Sequence, residues 1–479
     1  MSTSLRTLGV FAVSLAAVVA CGSSSKDEGT TGPTGPKADA PLTWAETVEP
    51  ILQQRCQNCH REGGIAPFTL MTYEDFKSVA EAAKIKITAK EMPPWGAFDD
   101  EACKHRLGFK DDLRMKDEEI QKIVAWMDAG MPQGDMNKRP APKTFGATNL
   151  VDKTHTLKMS APHEIPQGTS DDIRCFPIDP GFTEDTWIGG VNVLPGESRV
   201  VHHVIVYTDP TKESAPKAAA GNGSYPCFGG PGIGSPELLL AWAPGVPPTT
   251  YGDDVGIKVK KGSNLILQVH YHAYEKTLSD QTSFELKVLP TKPSFIAQIL
   301  LAGNASSANG FIKLLPGPND PPSGPAFIIP SNVKDHTESM VVTIPKTTQG
   351  IEIPTSSIYS IGSHMHLTGV DMKIEIERPA PTEDQPAKEC LLGTPKYDFN
   401  WQRGYAYDAP LDKLPTVAGG DTLKFTCKYD NTMGNKNVAK VLKEKNMSVP
   451  PEVKLGEETF DEMCLGAIVL VRRATAIDL

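Results

Sequence analysis

Four short stretches hold the side chains whose types and spacing could do chemistry. In Ser363-His364-Met365-His366-Leu367-Thr368-Gly369, two histidines are separated by one residue. On a β-strand, residues i and i+2 face the same way with Cα atoms roughly 6.6 Å apart, so both imidazoles can reach one metal ion. Taken alone, such a pair is more often structural than ligating. A second pair, His202-His203, interrupts the apolar run Arg199 to Tyr207. Neighbours on a regular strand face opposite ways, so one metal could take both only at a twist or bulge. The third stretch, Asn264 to His272, ends in His270-Tyr271-His272. At least three imidazoles could therefore meet in this part of the chain. The fourth is Asp461-Glu462-Met463-Cys464. A thioether is a soft ligand suited to Cu(I), and imidazole suits both copper oxidation states, so a His, His, Met set selects copper over zinc. Met463 alone would be read as a core methionine.

A different chemistry is written in Cys56-Gln57-Asn58-Cys59-His60. Two thiols at this spacing can add to the two vinyl groups of one haem while the next residue turns an imidazole onto the iron. A bare Cys-x-x-Cys could equally be a redox dithiol or half of a zinc site. Here His60 follows directly and no second Cys pair is present, which favours a covalently bound haem c. The sixth iron ligand is expected to be Met92, in Lys90-Glu91-Met92-Pro93-Pro94-Trp95, because Pro93 keeps it out of the helical region. Met71 and Met115 are its rivals.

The elements that must position these groups change character along the chain. Val48, Ile51 and Leu52 recur at helical spacing before Cys56, and Ile120, Ile123, Val124 and Met127 form an apolar face opened by Asp117-Glu118-Glu119 and ended by Gly130. With Met92-Pro93-Pro94-Trp95 between them, these resemble a small all-α cytochrome c domain of the kind carrying a Met-Pro-Pro-Trp segment, a resemblance that covers 42–136. Lys138-Arg139-Pro140-Ala141-Pro142-Lys143 marks a boundary. Beyond it come short alternating or β-branched runs between Pro and Gly clusters, with no long helical pattern before Val438, as expected for two all-β sandwich domains of the jelly-roll kind. The stretch Leu289 to Ser294 is a plausible hinge between them, giving sandwiches over 147–290 and 295–479.

The 479 residues leave room for about three domains, and 39% hydrophobic with 22% charged residues is an ordinary globular balance. A net charge of −10 without a Lys/Arg-rich run argues against a nucleic-acid surface. At the N-terminus, Arg6, the apolar run Leu8 to Ala20 and the small residues before Cys21 resemble a bacterial lipoprotein signal over 1–21, in which Cys21 would carry lipid. Gly22 in place of an Asp points to the outer membrane, periplasmic face. Residues 22–41, rich in Ser, Gly, Thr and Pro, read as a flexible tether. No other stretch has the length of a membrane span. Of nine cysteines, six then remain, enough for up to three disulfides.

Taken in order, His-His, Val-His-Tyr, His-x-His and Glu-Met-Cys resemble the type II copper, ascorbate-dependent monooxygenases, the family of dopamine β-monooxygenase and peptidylglycine α-hydroxylating monooxygenase. The resemblance spans about residues 150 to 475 and includes Asn400-Trp401-Gln402-Arg403 and Cys427-Lys428-Tyr429-Asp430-Asn431-Thr432. It implies that His202, His203 and His270 hold an electron-transfer copper and that His364, His366 and Met463 hold the copper at which oxygen is activated. His272 lies outside the family's ligand set and would stand behind it. The resemblance also implies a Cys427–Cys464 disulfide. Of the other pairings, Cys175 with Cys227 is preferred, whereas Cys103 with Cys390 would have to bridge two domains. The chain departs from the peptide-hydroxylating members at Gly362, where they place a carboxylate-binding Arg, and at Leu465 and Ala467, where they have Asn and Tyr. A carboxylate-ended peptide held in that manner is therefore not expected.

The resulting expectation is a multidomain chain with two copper ions and one covalent haem c. It would hydroxylate a C–H bond of a small organic substrate with O2, drawing electrons from an external donor, ascorbate-like or a periplasmic redox protein, through the haem. The alternative is a non-catalytic electron-transfer or copper-binding lipoprotein.

Overall fold

The computed structural model describes residues 41–475 except 63, 65, 145–148, 169, 170, 244, 245, 247, 253, 273, 307–309, 457 and 459. The signal and tether readings, Cys21 included, lie outside the described residues. Residues 42–479 form one compact unit.

Most of that unit is β-sheet. A ten-stranded sheet runs through it, and two five-stranded sheets provide further layers. The first five-stranded sheet includes Asp171–Ile178, Val201–Asp209 and Asn264–His272. Its Phe176, Val204 and Leu265 share a core with Ile188, Val191 and Phe284 of the long sheet. The second includes His336–Thr343, Gly369–Glu377, Lys388–Thr394 and Thr422–Tyr429. Its Met372, Ile374 and Phe425 pack on Ile358, Ile361 and Ile468. Burial alternates residue by residue along His336–Thr343, as it must for a strand with one face covered. Thr186–Leu194 is buried along nearly its whole length.

The expected hinge is built into this body. Leu289 is buried beside Trp187 and Ile296, and its N–H donates to the Trp187 carbonyl at 2.8 Å. Immediately after it, Phe295–Gly303 pairs in parallel with Val255–Val259 and antiparallel with Leu465–Arg473. The long sheet therefore passes from one core to the other without a break at this point.

The fold class expected from sequence, a chain led by a small all-α cytochrome domain, is corrected by the structure. Among the described residues no all-α cytochrome domain is evident. The helices of this region, Glu49–Arg55, Tyr73–Ser78, Ala80–Thr88 and Asp117–Asp128, are short, and they pack on one modest core around Trp44, Leu52, Phe76, Ile123 and Trp126. Their ends follow familiar chemistry: Thr72 and Asp75 form a reciprocal cap, and Asp117–Asp128 opens with three acidic residues.

The physical reason lies between these helices, where 93–114 contains no helix. Trp95, Ala97 and Phe109 enter the core of the second β layer pair rather than the helical core. Phe98 N–H donates to Gly393 O at 3.2 Å, Lys110 N–H to Ala406 O at 2.8 Å, and Arg106 pairs with Glu389 at 2.7 Å. The segment thus spends its large apolar side chains on the sheets and leaves the helices too few to close a domain of their own.

Three disulfides follow: Cys427–Cys464, Cys175–Cys227 and Cys103–Cys390. The last, disfavoured on sequence as an inter-domain bridge, links the extended segment to the strand Lys388–Thr394 inside one body. Among the described residues Cys56 and Cys59 stay unpaired. No described helix is long and apolar enough to cross a membrane.

If 93–114 belongs to the β body, Phe109→Ala should remove about 3–5 kcal/mol from its unfolding free energy, the cost of truncating a buried aromatic. Denaturant unfolding followed by near-UV circular dichroism measures it, and a loss below about 1 kcal/mol would contradict this placement.

Candidate metal centres

The His202 and His270 strands are antiparallel neighbours, with His203 opposite His270 and Val201 opposite Tyr271. His202 is skipped in that register, so the strand bulges at the adjacent pair, the one local geometry that lets consecutive side chains converge. The Nδ1 atoms of His202 and His203 are 3.3 Å apart, and those of His203 and His270 are 3.4 Å apart. His272, two residues beyond His270 on the same face, brings its ring centre to 4.1 Å from that of His202. Ring nitrogens of His202, His270 and His272 all lie within 4.8 Å of one another. Four imidazoles therefore converge, and His272 is as much a member as His203. The i, i+2 alternation of His270 and His272 signalled this in the sequence, where it was set aside as lying behind the ligands. Burial, reinforced by His270 and His202, holds the His203 imidazole well below its ordinary pKa and therefore neutral, the form that can ligate a metal.

His364 ends the strand Ser356–His364, and His366 lies in the turn before Gly369–Glu377. Their ring centres are 5.2 Å apart with nearly perpendicular planes. His364 Nδ1 is 2.5 Å from Gln402 Oε1, and His366 Nδ1 is 3.0 Å from the Asp461 carbonyl, so each ring has one nitrogen directed by a protein oxygen. Burial, with His366 beside it, lowers the pKa of His364 to about 4.

The turn itself is held by Glu462, whose side chain is fully buried. Its carboxylate accepts from His366 N–H, from Thr368 N–H at 3.0 Å, from Thr368 Oγ1 at 2.7 Å and from Met463 N–H at 2.9 Å. Met463 is thereby fixed beside the histidine turn, with its carbonyl receiving Tyr429 O–H at 2.9 Å. The Cys427–Cys464 disulfide locks the next residue.

The two histidine groups face one another across Phe399, whose ring centre is 5.5 Å from that of His202 and 6.2 Å from that of His366. They also sense each other's charge: His364 helps depress His203, and His270 helps depress His366.

In the helical region Cys56 caps Glu49–Arg55, and the N–H groups of Cys59 and His60 both donate to its carbonyl. His60 Nδ1 lies 3.1 Å from Phe68 O, with the Phe68 ring beside it at 4.7 Å. Burial raises both thiols, Cys56 to about 12, so neither is poised as a free thiolate nucleophile. Cys56 and Met92 both pack against the helical core, and Met92 lines a small cleft with Met115 and Ile120. Met115 is buried in that core.

The sequence motifs include Gln402, Arg403 and Glu462 without assigning them a role, and Tyr397 and Phe399 lie outside those motifs. Gln402 orients His364, while Tyr397 O–H donates to Met365 O at 2.5 Å and accepts from Met365 N–H at 2.9 Å. Neither has a spacing signal, because each acts from a loop distant in sequence.

No family model and no curated protein matches the chain. Among solved structures, the N-terminal CBM22 tandem domain of Paenibacillus barcinonensis Xyn10C aligns at 10% identity over 68% of this chain and 99% of its own, with a TM-score of 0.16. BuGH86 in complex with neoagarooctaose aligns at 7% identity over 92% of this chain and 57% of its own, with a TM-score of 0.15.

The buried titrating groups set a pH dependence for the metal-free chain. His364, depressed from 6.5 to about 4, with His203 and His366 also lowered, binds fewer protons folded than unfolded, so stability rises with pH through 4–6.5. Glu462, raised by burial from 4.5 to about 6, acts oppositely between those values. Three imidazoles outweigh one carboxyl, and the thermal midpoint in chelator should climb from pH 4.5 to 6.5 and flatten above. A flat or falling midpoint over that range would contradict the buried neutral imidazoles.

Proposed function

We propose that this chain is a copper-dependent monooxygenase of the type II, ascorbate-dependent kind, supplied with electrons through a haem c on the same chain. The observation that carries the reading is the convergence of two histidine groups, on strands from different sheets, facing one another across Phe399. His202, His203 and His270, with His272 as an added neighbour, would hold one copper. His364, His366 and Met463 would hold the other.

The donor chemistry fits that metal. The depressed imidazoles are neutral, Gln402 and the Asp461 carbonyl direct the second nitrogens, and a methionine follows the buried Glu462. For haem, two cysteines stay unpaired where the other six described ones form disulfides, and Phe68 O bonds Nδ1 of His60, leaving Nε2 for iron. Met92 is the proposed partner on the other face. This assignment needs no all-α domain, only the helix end that presents Cys56 and the loop that carries Met92.

When bound, copper supplies oxygen activation and one-electron storage, and haem supplies one-electron delivery from an external donor. The protein's part is to hold the ligands in their neutral forms, fix the His364 ring through Gln402, and shape the substrate wall. At Gly362 an added Cβ would approach Arg403 O to 3.1 Å, tighter than ordinary contact, so a carboxylate-binding arginine there would crowd the Arg403 backbone. A small organic substrate with a C–H bond, recognised without a carboxylate anchor, suits it. A lipid on Cys21 would place the enzyme in the bacterial envelope.

The test is metal and haem content of the folded chain expressed without its anchor. Wild type should carry one haem and two coppers, Met463→Ala and His270→Ala should each lose about one copper, and Gln402→Ala should weaken copper binding by roughly 10–100-fold. Folded, copper-supplied protein without copper would end the proposal. Full metal content without product during oxygen uptake would favour a non-catalytic electron-transfer or copper-binding lipoprotein.

A further inference from the structure

Gln402 and Arg403 are consecutive and look in different directions. The first contacts His364 at 2.5 Å and anchors itself by donating Nε2–H to Phe399 O at 3.1 Å. The second sits over Trp95, its guanidinium carbon 4.5 Å from the ring centre and 5.6 Å from that of Tyr405. Trp95 is three residues beyond Met92, and Tyr405 O–H receives the neighbouring Gly96 N–H at 3.1 Å. Lys396 Nζ adds a bond to Ala89 O at 2.8 Å, so the Met92 loop is fastened to the His364 side at three points.

Arg403 is otherwise an expensive side chain. Its Nε is buried without a hydrogen-bond partner among the described residues. A buried cation over Trp95, three residues beyond the proposed iron ligand Met92, has an evident use: positive charge near a haem would favour Fe(II) over Fe(III).

We propose that Arg403 and Gln402 bridge the haem-attachment segment to the His364–His366 centre, making that centre, rather than the four-histidine cluster, the first acceptor of electrons from the haem. The inference rests on the metal assignment above. The step is Fe(II) plus Cu(II) giving Fe(III) plus Cu(I), one electron and no proton, with the haem re-reduced by an external one-electron donor. The four-histidine cluster, across Phe399 from His366, is then charged second. Arg403 is a positioning and potential-setting residue, and its contact with Trp95 keeps the two sites in register.

Two measurements on the full haem-loaded chain test this. In copper-free protein, Arg403→Gln should lower the haem midpoint potential by about 59 mV, a tenfold shift in the one-electron equilibrium, and Arg403→Lys should restore most of it. In copper-loaded protein, a reducing pulse to the haem should be followed by its reoxidation. That decay should proceed at the wild-type rate in His270→Ala and slow at least tenfold in His364→Ala, with Met463→Ala standing in should His364→Ala fail to fold. An unchanged potential in Arg403→Gln, or decay lost in His270→Ala and kept in His364→Ala, overturns the proposal. Copper and haem contents measured beforehand separate the cases. Missing metal in the wild type overturns the underlying assignment and this bridge with it, whereas a fully loaded wild type with the reversed pattern among the variants overturns the bridge alone.

Discussion

A buried carboxylate organises the centre of this molecule. Glu462 has no exposure, and a charge so placed is costly unless its oxygens are filled by donors. Those donors are the backbone N–H groups of His366, Thr368 and Met463 and the Thr368 hydroxyl. Satisfying one side chain therefore ties the His-x-His turn to the chain entering the strand Leu465–Arg473. That strand pairs on one side with Ser356–His364, which carries the first histidine, and on the other with Phe295–Gly303, which joins the two cores. A single polar node and one strand thus set the position of His364, His366 and Met463 relative to the rest of the long sheet.

The four-histidine cluster is organised differently. A one-residue irregularity between paired strands shapes it, turning His202 out of step so that it joins His203 rather than opposing it. Such a bulge spends a ladder position, and the surrounding core of Val204, Leu265, Phe176 and Tyr271 holds it in place. Burial and the neighbouring imidazoles hold His203 unprotonated in the cluster, while the His364 turn has a carboxylate and carbonyls nearby. The two centres differ in electrostatic surroundings although both are built of histidine, and that asymmetry is what a division of labour between two copper sites would need.

Local pattern was legible where one element decides the outcome. The apolar spacing of Ile120, Ile123 and Met127 gives the helix Asp117–Asp128, and alternation gives strands such as His336–Thr343. The clustering of His202 with His270 could be anticipated because adjacent strands bring such pairs together. What failed was the allegiance of 93–114. Its prolines and glycines mark it as non-helical, but nothing local says that Trp95 and Phe109 are claimed by sheets some three hundred residues away. The same blindness made the Cys103–Cys390 pairing look like a bridge between strangers. The roles of Gln402 and Glu462 were invisible for a related reason: a hydrogen bond to a distant turn leaves no period in the sequence.

That misplaced allegiance changes how the cytochrome-like motif should be understood. A helical domain on a linker would have to find its electron acceptor by diffusion, and its partner could be either metal centre. Here the loop bearing Met92 continues directly into Trp95, and Trp95 is buried under Arg403 in the core next to His364's strand. Moving the loop would uncover an aromatic side chain and a guanidinium whose Nε has no other partner among the described residues. The loop bearing Met92 is therefore fastened to the core that carries the His364 strand, and the contacts of Trp95 that hold the β body together are the same contacts that fix this loop.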